Sequence, residues 1–231
     1  MSMIREFSKT GNFFFKHRSY LPIFLYVVAI AALWFDKDEF FPYQEWWWGL
    51  ACFLVTASGM LIRAFTIGFT PKGTSGRNAD KQVAEVLNTK GIYSTVRHPL
   101  YLGNFLMWLG LMIYVGSAEF LIFGVFFFWL YYERIMFAEE EFIHNKFGKA
   151  FEDWAAKTPP FFPSFKHYEK SGVKFSFKNV IKREYHGFFA SIFSFTLINF
   201  IKHLFYNDWK PNVDIEWIIA FAAGFFIYIV V

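Results

Sequence analysis

Apolar residues in this chain come in long unbroken runs separated by short polar stretches. Six runs stand out: about Leu21–Phe35, Trp46–Phe69, Leu100–Val115, Phe120–Ala138, Phe188–Phe205 and Ile215–Val231. A helix needs about 20 mostly apolar residues to cross a bilayer, and these runs approach or reach that length. They are continuous rather than alternating, which argues against the strands of a membrane barrel. The first run follows a polar tail and lacks a small-residue cleavage site, so it reads as a retained helix and not a signal peptide. The pattern predicts an all-α, polytopic transmembrane helical bundle of about six spans.

Basic residues set the expected orientation. The N-terminal tail carries Arg5, Lys9, Lys16 and Arg18, whereas the Asp36–Glu45 loop has one lysine and four acids. Lys72, Arg77, Lys81, Lys90 and Arg97 follow the second run, and a further basic segment, from Lys146 to Arg183, follows the fourth. The Gly116–Glu119 connection has no basic residue, and the last loop has Lys210. This alternation predicts cytoplasmic N- and C-termini. Trp46, Trp47, Trp48, Trp209 and Trp217 then fall at the outer interface, where aromatic belts form.

Composition narrows the class further. Hydrophobic residues make up 55% of the 231 residues, with 35 Phe and nine Trp, which excludes disorder and exceeds what one soluble core could bury. Cys52 is the sole cysteine, so no disulfide scaffold exists. The net charge of +4 follows from the topology and calls for no nucleic-acid partner. The chain reads as a single membrane domain, 1–231, with a helical pair appended over 184–231. The helix of the fourth run is expected to continue through Gly148 to about Lys157, before Pro159–Pro163 break it.

Two polar clusters carry the candidate chemistry. The first is the segment Gly91–Asn104, in which Arg97 and His98 stand immediately before an apolar span. Pro99 suits the first turn of a helix, whose free N–H groups favour an anion. Such a pair is either a site or a snorkelling interface anchor. The second cluster ends the fourth span. Helical spacing places Glu133 with Glu140 on one face and Arg134 with Glu141 on another. These charges form a solvated face, or one carboxylate turns inward to meet Arg97, His98 or a cationic ligand. The hairpin of the third and fourth spans puts both clusters on one side of the membrane. The six histidines show no metal-ligand spacing, so no metal site is expected. No phosphate loop, GxGxxG or GxSxG is present. Lys72–Gly76 is expected to be a flexible turn. Gly49, Gly59, Gly103 and Gly110 are read as close helix contacts.

Taken together, "GIYSTVRHPLYLG", the later "EEEFIHNKFGKAFEDW" and the closing "TPPFFP" resemble the isoprenylcysteine carboxyl methyltransferase and phospholipid methyltransferase superfamily. The resemblance spans roughly residues 78–163. It implies a polytopic membrane enzyme that uses S-adenosylmethionine to methylate a lipid or lipidated substrate within the bilayer, with its active site on the cytoplasmic side. It implies that Leu87, Tyr93, His98, Pro99, Leu100, Tyr101 and Glu139 line the cofactor pocket, together with Asn78, Glu85, Val86 and Asn88. It implies a catalytic group of Arg97, His98 and Glu140, in which Arg97 and Glu140 brace the motif. Whether His98 serves as a general base stays open, since only an ammonium acceptor must first lose a proton. In isoprenylcysteine enzymes an Arg four residues before the cofactor-binding Glu faces the substrate carboxylate. Ile135 takes that place here, with Arg134 beside it as the substrate-binding candidate, which favours a lipid headgroup as acceptor. The alternatives are an NADPH-dependent sterol or enone reductase and a non-catalytic membrane protein of the same fold.

Overall fold

A computed structural model describes residues 3–20, 22–35, 45–70, 84–206 and 209–231. Asn78, the Lys72–Gly76 turn, the basic residues Arg77 and Lys81, and the Asp36–Glu45 loop up to residue 44 lie outside them. The described residues form eight α-helices and no strand. In chain order these are α1 (Met3–Lys16), α2 (Ile23–Phe35), α3 (Trp46–Gly68), α4 (Pro99–Val115), α5 (Ala118–Phe147), α6 (Lys149–Ala155), α7 (Phe177–Tyr206) and α8 (Ile215–Val230). A single 3₁₀ turn at Gly91–Ser94 precedes α4.

Each apolar run carries a helix over its described residues, give or take a residue at its ends. α3, α5 and α7 are long and apolar enough to cross a membrane, and α2, α4 and α8 are shorter apolar helices. α7 starts at Phe177 instead of about Phe188. Its added turns are rich in Lys, Arg and Glu, which are good helix formers and need no apolar environment. One expectation fails. The helix of the fourth run does not continue to Lys157, because α5 stops at Phe147 and α6 is a separate short helix. Gly148 sits between them at φ 51°, ψ −124°, a conformation open essentially to glycine.

The chain forms two compact units. Unit 1 comprises residues 1–24, 65–102 and 126–176; unit 2 comprises 25–64, 103–125 and 177–231. In unit 2, α3 and α4 approach backbone to backbone. A Cβ on Gly59 would stand 2.4 Å from the Gly103 carbonyl oxygen, and one on Gly110 would stand 2.4 Å from that of Cys52. α7 is tied to this pair by Arg63, which forks onto Glu184 at 2.7 Å twice and donates to Asn104 at 2.5 Å. Lys202 of α7 donates to the Tyr114 carbonyl at the end of α4, as a cation at a helix C-terminus should. Phe195 is fully buried between Tyr114 and Trp217.

In unit 1 the polar N-terminal tail proves to be a helix. Phe7, Gly11, Phe14 and Phe15 recur at helical spacing and put an apolar stripe on one face of α1. That stripe packs against α5: Phe7 meets Phe137 at 5.5 Å, and the Tyr131 hydroxyl donates to the Phe14 carbonyl at 3.1 Å. Gly11 is the point of closest approach, where a Cβ would lie 2.1 Å from the Arg134 carbonyl oxygen. Gly11→Ala is therefore expected to destabilise the protein by about 1–3 kcal/mol through overpacking. The exposed substitution Lys9→Ala should stay within about 0.5 kcal/mol. Thermal melting of both variants in detergent checks this, and equal melting temperatures would refute the α1–α5 contact.

Candidate functional site

The site grows from the turn that leads into α4. Gly91 adopts φ 64°, and its N–H donates to the Glu169 carbonyl at 2.8 Å. The Ser94 and Thr95 hydroxyls close the 3₁₀ turn by donating to Gly91 O (2.6 Å) and Ile92 O (2.8 Å). Pro99 then starts α4, where its missing N–H costs nothing and its fixed φ suits the helix. His98 is the residue before the helix, and its carbonyl accepts from the N–H groups of Tyr101 and Leu102.

The proline-rich segment after α6 does more than end a helix. Proline lacks an N–H but keeps its carbonyl. The Arg97 N–H donates to Pro159 O at 2.9 Å, and the His98 N–H donates to Pro160 O at 3.1 Å. Ser164 N–H donates to Thr95 O at 2.9 Å, extending the pairing. The Trp154 indole donates to the Tyr93 carbonyl at 2.8 Å.

Onto this frame α5 projects two adjacent carboxylates. Arg97 Nε and Nη2 fork onto Glu140 at 2.8 and 3.2 Å. Arg97 Nη1 donates to the carbonyls of Ala155 (3.0 Å) and Thr158 (2.7 Å). One guanidinium therefore links α4, α5 and the end of α6 with charge-assisted bonds. His98 lies between the carboxylates, with Nε2 2.9 Å from Glu140 Oε1 and Nδ1 3.6 Å from Glu139 Oε2. The Tyr101 hydroxyl donates to Glu139 at 2.8 Å, and its ring stacks on His98 at 5.7 Å. Tyr132 meets Tyr101 at 4.9 Å.

Burial of the His98 ring works against its charge, but the two carboxylates overcome this and hold its pKa above the usual histidine value. The imidazolium thus stabilises the fold fully below about pH 6.5, and that stability is lost as pH rises through the elevated value. Melting temperature should fall on the alkaline side of about pH 6.5, and His98→Gln should flatten that part of the profile. A wild-type profile that stays flat there would refute the charged form.

The sequence-derived candidates fall into four groups. Arg97, His98, Tyr101, Glu139 and Glu140 form one connected cluster. Both carboxylates engage it, where helical spacing alone offered one and the resemblance implied both. Pro99 is fully buried and shapes the turn, Leu100 is half-buried, and Tyr93 joins the frame through its carbonyl. Leu87 and Asn88 are half-buried, whereas Glu85 and Val86 are exposed. Arg134 faces α1, its guanidinium 3.3 Å above the Phe7 ring centroid, and Ile135 is completely buried. The sequence reading missed the carbonyls of Ala155, Thr158, Pro159 and Pro160 as partners. The only available signal was the position of "TPP" directly after the FG block. It also missed the packing of α1 against α5.

Comparison with known proteins bears on this arrangement. The phospholipid methyltransferase family matches residues 46–150. The resemblance read from the sequence therefore holds. The phospholipid methyltransferase match spans α3, the turn at Gly91, α4, α5 and the Gly148 break, so it includes all five residues of the cluster. α1, the proline-rich segment, α7 and α8 lie outside it. The chain is 32% identical to a protein-S-isoprenylcysteine O-methyltransferase of Schizosaccharomyces pombe over 38% of its length and 36% of that protein's. A Dictyostelium discoideum protein of the same name is 27% identical over 55% of this chain and 54% of its own length. The chain thus spans about a third to a half of these two relatives. A nickel-cobalt-cadmium resistance protein, NccN, of Alcaligenes xylosoxydans xylosoxydans is 27% identical over 68% of this chain and 69% of its own. No solved structure matches significantly.

Proposed function

We propose that this protein is an integral membrane methyltransferase that uses S-adenosylmethionine to methylate a lipid or lipid-anchored acceptor held in the bilayer. The observation that carries this reading is the cluster in which His98, Arg97 and Tyr101 meet Glu139 and Glu140. It unites the two motifs of the phospholipid methyltransferase match in one place.

The donor set suits a cationic cofactor. Glu139 keeps 23% of its side chain exposed, in contact with Tyr101 and near His98. Its carboxylate would hold a cationic part of the cofactor, with the Tyr101 ring beside it. The chemistry supplied by bound S-adenosylmethionine is an electrophilic methyl on a sulfonium, and its displacement requires no metal. The protein's part is then to align the acceptor and exclude water. Arg97 and Glu140 satisfy each other, so we assign them as positioning residues that hold His98 and the start of α4 in place. Six spans with both termini in the cytoplasm would put the cluster at the cytoplasmic interface, within reach of a soluble cofactor.

Isothermal titration of the detergent-purified full chain with S-adenosylmethionine and, separately, NADPH tests the reading. Binding of the sulfonium cofactor alone supports it. Binding of NADPH alone would replace it with the reductase reading, and binding of neither would favour a non-catalytic protein.

A further inference from the structure

The proline-rich segment that supplies carbonyls to Arg97 and His98 runs on without regular structure to Ser176, and its two sides differ in kind. The inner side is pinned backbone. Besides the bonds from Pro159 and Pro160, the Ser164 N–H donates to Thr95 O and the Glu169 carbonyl accepts from the Gly91 N–H. The Glu169 N–H donates to Ser94 Oγ at 2.9 Å. The outer side is aromatic and basic. Phe162, Phe165 and Tyr168 are 72%, 75% and 58% exposed. Lys157, Lys166, Lys170 and Lys174 are exposed alongside them, and Glu169 is the single acid between residues 157 and 174. Among the described residues none of these lysines meets a carboxylate in a salt bridge. The pinned backbone keeps the rings from collapsing inward without breaking the frame around the cluster. Exposed rings held in this way mark a surface that meets a partner.

The neighbouring helix indicates which partner. α5 is long and apolar enough to cross a membrane, and its Phe126, Trp129 and Leu130 are 65%, 38% and 56% exposed. The Trp129 ring meets the buried Phe161 edge-on at 5.4 Å, and Phe161 meets Phe162 at 5.5 Å. The outward apolar surface of the span thus passes directly onto the loop. Rings at the end of such a surface, with lysines interleaved, suit a layer of anionic headgroups. The rings enter the interface, and the ammonium groups pair with lipid phosphates and carboxylates.

We propose that residues 157–174 form a docking loop for the anionic surface of the bilayer, and that docking stabilises the frame that holds Arg97 and His98. The contact is with bulk headgroups and not with a methyl acceptor, so it goes beyond the methyltransferase reading and stands without it. Lipid charge would then be felt at the cluster through the carbonyls of Pro159 and Pro160.

The test uses the full chain in nanodiscs of phosphatidylcholine alone or mixed with phosphatidylserine. The exposed His167 is replaced, His167→Cys, and labelled with a nitrobenzoxadiazole dye, while the buried Cys52 stays unlabelled. The rate at which dithionite bleaches the dye reports docking. Each lysine near an anionic surface favours docking about fivefold, so bleaching should be slower by that factor or more in the anionic discs. High salt should remove the difference. Lys166→Gln/Lys170→Gln/Lys174→Gln should lose the response to phosphatidylserine, and Phe162→Ser/Phe165→Ser should bleach fast in both discs. Docking is overturned if the dye bleaches equally fast in both discs, or if its protection ignores salt and survives the lysine changes. It is also overturned if protection appears only in discs holding two copies, which would assign the patch to self-association. A lower melting temperature of the serine variant in detergent, where no bilayer is present, would make the two rings part of the fold and overturn their role as lipid contacts. The melting temperature of the wild type should be higher in anionic discs, and that of the lysine variant should not. Equal wild-type melting in both discs would overturn the link to the cluster.

Discussion

Replacing Arg97 with alanine is expected to be the most destabilising single change in unit 1. It removes the fork to Glu140 and leaves that carboxylate with His98 alone. It also strips a donor from the carbonyls of Ala155 and Thr158. The side chains of Arg97 and Glu140 are 13% and 25% exposed, so water replaces the lost partners poorly. Breaking a mostly buried pair from one side costs about 3–5 kcal/mol, because the remaining charge is uncompensated. For a chain of this size that corresponds to a melting temperature lower by roughly 10 °C. Arg97→Lys keeps the charge but cannot supply the fork and two further donors at once, so it should fall between wild type and alanine. Thermal unfolding in detergent, followed by tryptophan fluorescence, gives the answer. Wild-type melting of Arg97→Ala would show that the network contributes nothing to the fold and would remove the basis for calling Arg97 a positioning residue.

The second large effect concerns binding, not stability. Glu139→Gln keeps the size of the side chain and an oxygen that can accept from the Tyr101 hydroxyl but loses one of the two carboxylates facing His98, so the melting temperature should fall less than in Glu140→Gln. What it removes is the negative charge. A hydrogen bond to a charged group contributes about 1.5–3 kcal/mol, so affinity for S-adenosylmethionine should drop about 10- to 100-fold. Glu140→Gln makes the contrast. It weakens the Arg97 fork and the His98 contact together, so its first effect should be on melting. Parallel calorimetric titrations of the two variants separate the roles. Wild-type cofactor affinity in Glu139→Gln would take Glu139 out of the proposed cofactor site.

Much of the architecture was legible in the chain itself. Six apolar runs announced six helices, because a run of that length has few other ways to satisfy its backbone in an apolar medium. The pairing of Arg97–His98 with the acids of α5 was foreshadowed by two polar clusters flanking one short hairpin. The break at Gly148 was not foreseen, since periodicity continues smoothly across it and only the local φ of 51° reveals the turn. Nor was α1 foreseen, because its polar composition hides a narrow stripe of Phe7, Gly11, Phe14 and Phe15 that gains meaning only against α5.

The six apolar helices and the side chains available for chemistry were thus determined by sequence alone, since both depend on residue type and on spacing along one helix. Which carboxylate serves which partner was decided by the tertiary structure. The resemblance gave the adjacent Glu139 and Glu140 different roles, but the contacts that distinguish them, the Arg97 fork and His98 contact on Glu140 and the Tyr101 bond on Glu139, arise only where the carbonyls of Pro159 and Pro160 place Arg97 and His98. The same holds for the arginines. Composition offers several, but packing commits Arg97 to Glu140 and lays Arg134 on Phe7. Such assignments depend on contacts between segments far apart in the chain, which local pattern does not encode.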